Sequence, residues 1–234
     1  DYYTANYLDK LGYQSKMNGC PAWYDLKYMG VKVSENIIPK KILFSVPGNE
    51  CLFQQFESIL NFFINKYDDM EYYISFNHGV NNNKYADLYR KITSNNSVTK
   101  ILDMSGGTES QHEYDKMDIH IGYRVHTHIY FLSHRKPSIL LMEDSRGVGL
   151  TETLGSPGIK CWNDQSVRLK YRPLVPVGYK YRYSIYNARS IVKELFSIYD
   201  NLVNNKFVFF NALFDKMEYY FENNMKYFIL KDLK

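Results

Sequence analysis

Residues 118–147 read DIHIGYRVHTHIYFLSHRKPSILLMEDSRG, and their pattern decides the fold. Ile119 and Ile121 alternate toward Gly122. Tyr123, Arg124, Val125, His126 and Thr127 then open a helical pattern that ends at Lys136 and Pro137. A second apolar run, Ser138 to Met142, leads to Glu143, Asp144 and Arg146. Strand, turn, helix, strand is a βαβ unit, because parallel neighbours need a crossover segment between them. Ligands of such sheets bind beyond the carboxyl ends of the strands. Arg124, His126, Asp144 and Arg146 are all expected there.

Working outward, the alternation repeats. Lys41 to Pro47 reads as a buried strand, and Glu50 to Tyr67 as a helix with Leu52, Phe53, Phe56, Ile59, Leu60, Phe63 and Ile64 on one face. Glu71 to Phe76 is a strand, Asn82 to Ile92 a helix and Lys100 to Met104 a strand. Ser105 to Thr108 is a loop and Glu109 to Met117 a short helix. With Asp118 to Tyr123 and Pro137 to Glu143 the series reaches five strands. The expected fold class is α/β, a Rossmann-like parallel sheet with helices on both faces, over residues 38–164. Ahead of it, Asp1 to Gly12 reads as a helix capped by Asp1, Lys16 to Asp25 as a short strand ending in a turn, and Lys27 to Pro39 as a polar linker. Residues 1–37 therefore form a separate N-terminal piece. Residues 165–234 form a basic connector followed by helices over 185–204 and 207–230. Phe207, Phe210, Phe214, Met217, Phe221, Met225 and Phe228 make one apolar stripe, which predicts a C-terminal helical hairpin packed on the sheet domain or on a neighbour.

Composition narrows the classes. A chain of 234 residues that is 45% hydrophobic has ample core and does not have the make-up of a disordered protein. A net charge of +4 does not point to nucleic acid, and no nucleic-acid motif accompanies it. Cys20, Cys51 and Cys161 are three, widely spaced and without paired ligand spacing. That argues against a disulfide framework and a zinc site, so no metal is expected, and it suits a reducing, cytoplasmic compartment. No run reaches the length of a membrane span and no signal peptide opens the chain. Its first residue is Asp, so the sequence is expected to begin inside a longer protein.

Three stretches could carry chemistry. The free amides of a helix N-terminus attract phosphate or carboxylate, and Arg124 would add a forked cation beside them. His126, one turn into the helix, would exchange a proton near neutral pH. The plainer reading is an exposed Arg and a His satisfied by a carbonyl. Ser105, Gly106 and Gly107 could cradle phosphate through bare amides, or form an ordinary turn. Asp144 and Arg146, with Glu143, could bind sugar hydroxyls and an anion, or form a solvated loop. The other five histidines, His78, His112, His120, His128 and His134, read as structural or solvent-facing. The basic, Tyr-rich stretch 168–182 reads as a surface strap, with anionic lipid or an acceptor as the sharper alternative.

The run D-x-x-I-G-x-R-x-H from Asp118, then K-P-S-I-L-L, E-D-S-R and L-T-E-T-L-G, resembles the polysaccharide pyruvyl transferase family. The N-terminal D-Y-Y-T-x-x-Y-L-x-x-L-G followed by C-P-A resembles the end of that family's first domain. The resemblance spans Asp1 to Gly155 and implies a two-domain, GT-B-like enzyme, of which this chain is the second half plus a remnant of the first. It implies transfer of a pyruvyl group from phosphoenolpyruvate to a saccharide of a cell-surface polysaccharide or its precursor, which can be lipid-linked. It implies no cofactor beyond that donor and a cytoplasmic enzyme; peripheral membrane contact, if made, is expected from the basic stretch 168–182. Matched position by position, Arg124 would hold the donor's carboxylate or phosphate and His126 would bind it or act as the acid. Gly122, Thr127, Asp144, Arg146, Ser105, Gly106 and Gly107 would support substrate binding. Val125 stands where the family has Leu. The Arg often found after the second domain's first strand is replaced by Ser45-Val46-Pro47-Gly48-Asn49. A nucleotide sugar as donor, as in a GT-B glycosyltransferase, and a non-catalytic sugar-binding domain remain the alternatives.

Overall fold

A computed structural model describes residues 1–33, 38–95, 99–167 and 182–227. Its centre is a six-stranded, all-parallel sheet in the order β3-β2-β1-β4-β5-β6. The strands are β1 (Lys41–Ser45), β2 (Glu71–Phe76), β3 (Thr99–Asp103), β4 (Ile119–Gly122), β5 (Ser138–Met142) and β6 (Gly158–Lys160). Helix α1 (Tyr2–Lys10) precedes them, and α2 (Phe53–Lys66), α3 (Ala86–Asn95), α4 (Val125–Ser133) and α5 (Ser145–Leu154) connect them. A run of 3-10 helix, Glu109–Lys116, joins β3 to β4.

The order reverses between β1 and β4. Right-handed crossovers that step in opposite directions place α2 and α4 on opposite faces. Side chains agree: Phe44 of β1 meets Phe63 of α2, while its neighbour Leu43 packs with Tyr114 and with Phe131 of α4. Strands buried on both faces read as continuous apolar runs, which is why β1 and β5 stood out in the sequence. Asp118, just ahead of β4, accepts the Lys40 and Lys41 amides through Oδ2 and so anchors the start of β1.

Up to residue 160, three elements differ from the sequence expectation. Lys16 to Asp25 holds no strand; a 3-10 turn covers Pro21–Trp23. Gly19 at φ 81° breaks the extended run and Pro21 offers no amide to a ladder, while Trp23 turns inward and is buried. The sheet gains β6, too short to register as an apolar run. The segment after Glu143 is α5 rather than a loop: Asp144 is its N-cap, accepting from the Arg146 amide at 2.9 Å, and Gly155 at φ 74° ends it. Gly147 and Gly149 disguised that helix. They are small because Met142 and Asp1 press against them.

The C-terminal helical pair is α6 (Ala188–Asn204) and α7 (Phe209–Tyr220), the latter running on into a π-helical turn, Phe221–Met225. Helix α6 lies on α2 through Phe62–Phe196 and Phe63–Tyr199 contacts. Helix α7 covers the other side, where Tyr220 meets Trp23 and Phe214 lies under the Arg135 guanidinium. Of the predicted apolar stripe, Phe207, Phe210, Phe214, Met217, Phe221 and Met225 are buried; Phe228 lies outside the described residues. Residues 168–181, on which the expected membrane contact falls, also lie outside them. The strands flanking that stretch, β7 (Trp162–Val167) and β8 (Arg182–Ile185), pair antiparallel.

Candidate active site at the switch point

The carboxyl ends of β1 and β4 meet where the strand order reverses, with Ser45 opposite Gly122. A Cβ on Gly122 would lie 2.3 Å from Ser45 Oγ and 2.6 Å from its backbone nitrogen, so only Gly lets the two strands close here. Beyond Gly122 the turn is held from two sides. Tyr123, buried, donates its hydroxyl to Gln55 Oε1 at 2.7 Å, and Gln55 in turn donates to the Tyr186 carbonyl. Arg124 is the N-cap of α4 and donates its backbone amide to Ser45 Oγ at 3.1 Å.

No side chain among the described residues caps the first turn of α4. Its amides keep their capacity for an anion. The Arg124 side chain, 13% exposed, lies between Tyr85 and Glu143. Nη2 donates to the Tyr85 hydroxyl at 2.8 Å and Nη1 stands 3.8 Å from Glu143 Oε1, while Nε is buried without a hydrogen-bond partner. A guanidinium with an unsatisfied donor in a buried setting is suited to a carboxylate or phosphate.

Glu143 carries the other half of the arrangement. Its Oε2 accepts the amides of Gly48 at 2.6 Å and Asn49 at 3.2 Å, so a carboxylate from β5 closes the β1 turn. A Cβ on Gly48 would stand 2.8 Å from Arg124 Nη1 and 2.9 Å from Glu143 Oε1. Lys84 and Glu50 flank the site 4.0 Å apart. His78, exposed after β2, stacks on Tyr85 at 6.2 Å. Its imidazole is held below 6.5 by partial burial and by the Arg124 and Lys84 charges, against a weaker opposing pull from Glu143.

The residues expected from sequence scatter over this edge. Arg124 is at the centre, and His126 is exposed in the first turn of α4. Thr127 is buried and turned toward the sheet, beside Asn77 Nδ2 and the Tyr114 hydroxyl, both at 3.4 Å. Asp144 and Arg146 pair with each other, Nε to Oδ2 at 3.0 Å, at the start of α5. Ser105, Gly106 and Gly107 follow β3, which is separated from β4 by two strands, a displacement of roughly 14 Å. Ser105 is tied to Asp103 Oδ1 through its amide and hydroxyl. Tyr85, His78, Gly48 and Ser45 lie outside the expected site residues, and nothing in their own segments marks the first three. A Ser ending the otherwise apolar run of β1 was the available signal.

A parallel α/β sheet with an Arg-bearing helix N-terminus at its switch point is a setting suited to an anionic ligand. The sequence profile described as polysaccharide pyruvyl transferase matches residues 1–145, and the chain belongs to that family. It is therefore a transferase, with a donor substrate and a saccharide acceptor in the general sense that the family name carries. No curated protein and no solved structure matches it. No helix among the described residues is long and apolar enough to cross a membrane.

Proposed function

We propose that this chain transfers a pyruvyl group from phosphoenolpyruvate to two hydroxyls of a saccharide, forming a cyclic ketal. The observation that carries the reading is Arg124: a largely buried guanidinium with an unpartnered Nε, set at the uncapped N-terminus of α4. Arg124 and the α4 amides hold the donor's carboxylate or phosphate. His126, exposed one turn along, is the candidate to bind the donor or protonate it. A proton added to the methylene carbon makes C2 electrophilic, and one sugar hydroxyl attacks there. The first hydroxyl's proton returns to the acid; the second hydroxyl then displaces phosphate, which leaves with that hydroxyl's proton. The acceptor belongs to a cell-surface polysaccharide or its precursor.

One observation favours a second donor. Glu143 stands against Arg124 where the family resemblance places a further Arg nearby, so the site carries less positive charge than the closely spaced carboxylate and phosphate of phosphoenolpyruvate would favour. A nucleotide sugar, whose hydroxyls such a carboxylate can accept from, is the alternative. Calorimetric titration of the chain with phosphoenolpyruvate and with nucleotide sugars separates the two. A phosphate-release assay with phosphoenolpyruvate and a saccharide diol tests the reaction itself. Arg124→Gln should lower turnover by about 10²-fold, the usual cost of one donor to developing charge. A variant as active as wild type would sink the assignment.

A further inference from the structure

Beneath Arg124 runs a line of polar side chains that the reaction as proposed does not use. Ser45 Oγ lies 2.8 Å from His120 Nε2, and His120 Nδ1 lies 2.7 Å from Ser138 Oγ. Ser138 Oγ is also 2.7 Å from His128 Nδ1, and His128 Nε2 is 3.2 Å from Ser156 Oγ. The first four residues are wholly buried and Ser156 is 8% exposed. Strands β1, β4 and β5 and helix α4 each contribute a member, at positions that a doubly covered parallel sheet ordinarily fills with apolar side chains.

Proton counting gives the line a direction. Ser138 has one proton and two imidazole neighbours, so it donates to one ring and accepts from the other. If His128 Nδ1 were the donor, His120 Nε2–H would point at Ser45, and the proton of the buried Ser45 would have no acceptor within the line. In the opposite sense the protons of all four wholly buried members are used, and only Ser156, 8% exposed, has one left over. Ser45 O–H donates to His120 Nε2, His120 Nδ1–H to Ser138, Ser138 O–H to His128 Nδ1, and His128 Nε2–H to Ser156. Ser45 then keeps a lone pair for one more donor, the Arg124 amide at 3.1 Å. Burial holds both imidazoles in the neutral form that this sequence of bonds requires.

We propose that Ser45, His120, Ser138, His128 and Ser156 form a one-way hydrogen-bond chain that positions the Arg124 turn for the donor. It rests on the reading of Arg124 as the donor-anion contact. Stability alone does not call for it, because a satisfied buried network can be exchanged for apolar groups of like shape at little cost. The chain fixes the Ser45 hydroxyl rotor so that its lone pair faces the Arg124 N–H. All five are positioning residues; none touches the substrate.

The test uses the full chain with ¹⁵N-labelled His and Arg. Long-range proton–nitrogen spectra of the wild type should show His120 as the Nδ1–H tautomer and His128 as the Nε2–H tautomer. The reverse pair overturns the proposal, and this needs no variant. Ser45→Ala and His120→Leu should move the Arg124 amide and Nε resonances and weaken phosphoenolpyruvate binding by about five- to tenfold, the worth of roughly one hydrogen bond. His120→Gln, which keeps a polar group facing Ser45, should recover most of both signals. Folded Ser45→Ala and His120→Leu with Arg124 resonances and affinity unchanged would leave the network purely structural and defeat the idea. A wild type that ignores phosphoenolpyruvate while the variants still move the Arg124 resonances supports the positioning role and removes only the donor assignment.

Discussion

Glu143 serves two partners with one carboxylate, the amides of Gly48 and Asn49 through Oε2 and the guanidinium of Arg124 through Oε1. Its charge lies where an anionic donor must approach. Glu143→Gln keeps an oxygen for the Gly48 amide and removes that repulsion. The KM for phosphoenolpyruvate should then fall by about three- to tenfold, with a steeper salt dependence, in steady-state kinetics. A higher KM would mean that closing the β1 turn outweighs the charge. His78 offers a second reading at this scale. It should titrate below 6.5 by NMR, neutral at pH 7 and protonated only as the pH falls; Lys84→Gln should raise its midpoint part-way, since burial is the larger cause. Arg124 and His126 were legible in the sequence because a strand, a Gly and a helix start in succession fix where their positions lie. So was Glu143, as part of the charged run after β5; Tyr85 and Ser45 were not. Their roles come from strands and helices that only the assembled sheet brings alongside Arg124.

Among the elements, the β4–α4 turn is the most constrained. Gly122→Ala would drive a methyl into Ser45 backbone atoms 2.6 and 2.7 Å away, which no side-chain rotation relieves. We expect a loss of about 3 kcal/mol or more in urea unfolding, at the upper end of overpacking costs. Helix α5 gives a milder case: Asp144→Ala removes the cap on the Arg146 amide and should cost about 1 kcal/mol. The strands were readable where apolar residues ran together, as from Ile139 to Met142 in β5, or alternated, as at Ile119 and Ile121 in β4. β6 has only Gly158, Ile159 and Lys160, and α5 carries Gly147 and Gly149 in its interior, so local propensity pointed away from both. Packing overrode it: the two glycines let β5 and the N-terminal residues come close.

Over the whole molecule, acid should be the weak direction. His120 and His128 stay neutral when folded, His128 down to about 3, because burial penalises their charged forms, His120 further so beside His128. In the unfolded chain both take protons from about pH 6.5 downward. Their contribution is therefore complete above about pH 6.5 and declines as pH falls toward the folded values, by at most about 1.4 kcal/mol per pH unit for each ring. Urea unfolding between about pH 7 and pH 4 should show that slope, and His128→Leu should reduce it by one proton's worth. A flat profile would contradict the buried-neutral assignment. The helical pair was legible from its apolar stripe, but not its placement, since a stripe says what is buried and not against which neighbour. Helices α6 and α7 cover opposite faces of the sheet, and both emerge from the ribosome after every one of its strands. A nascent chain paused before Ala188 thus holds a paired sheet with Phe62, Phe63 and Trp23 uncovered. We expect chaperone dependence during synthesis to concentrate in that interval, which profiling of chaperone-bound nascent chains would check.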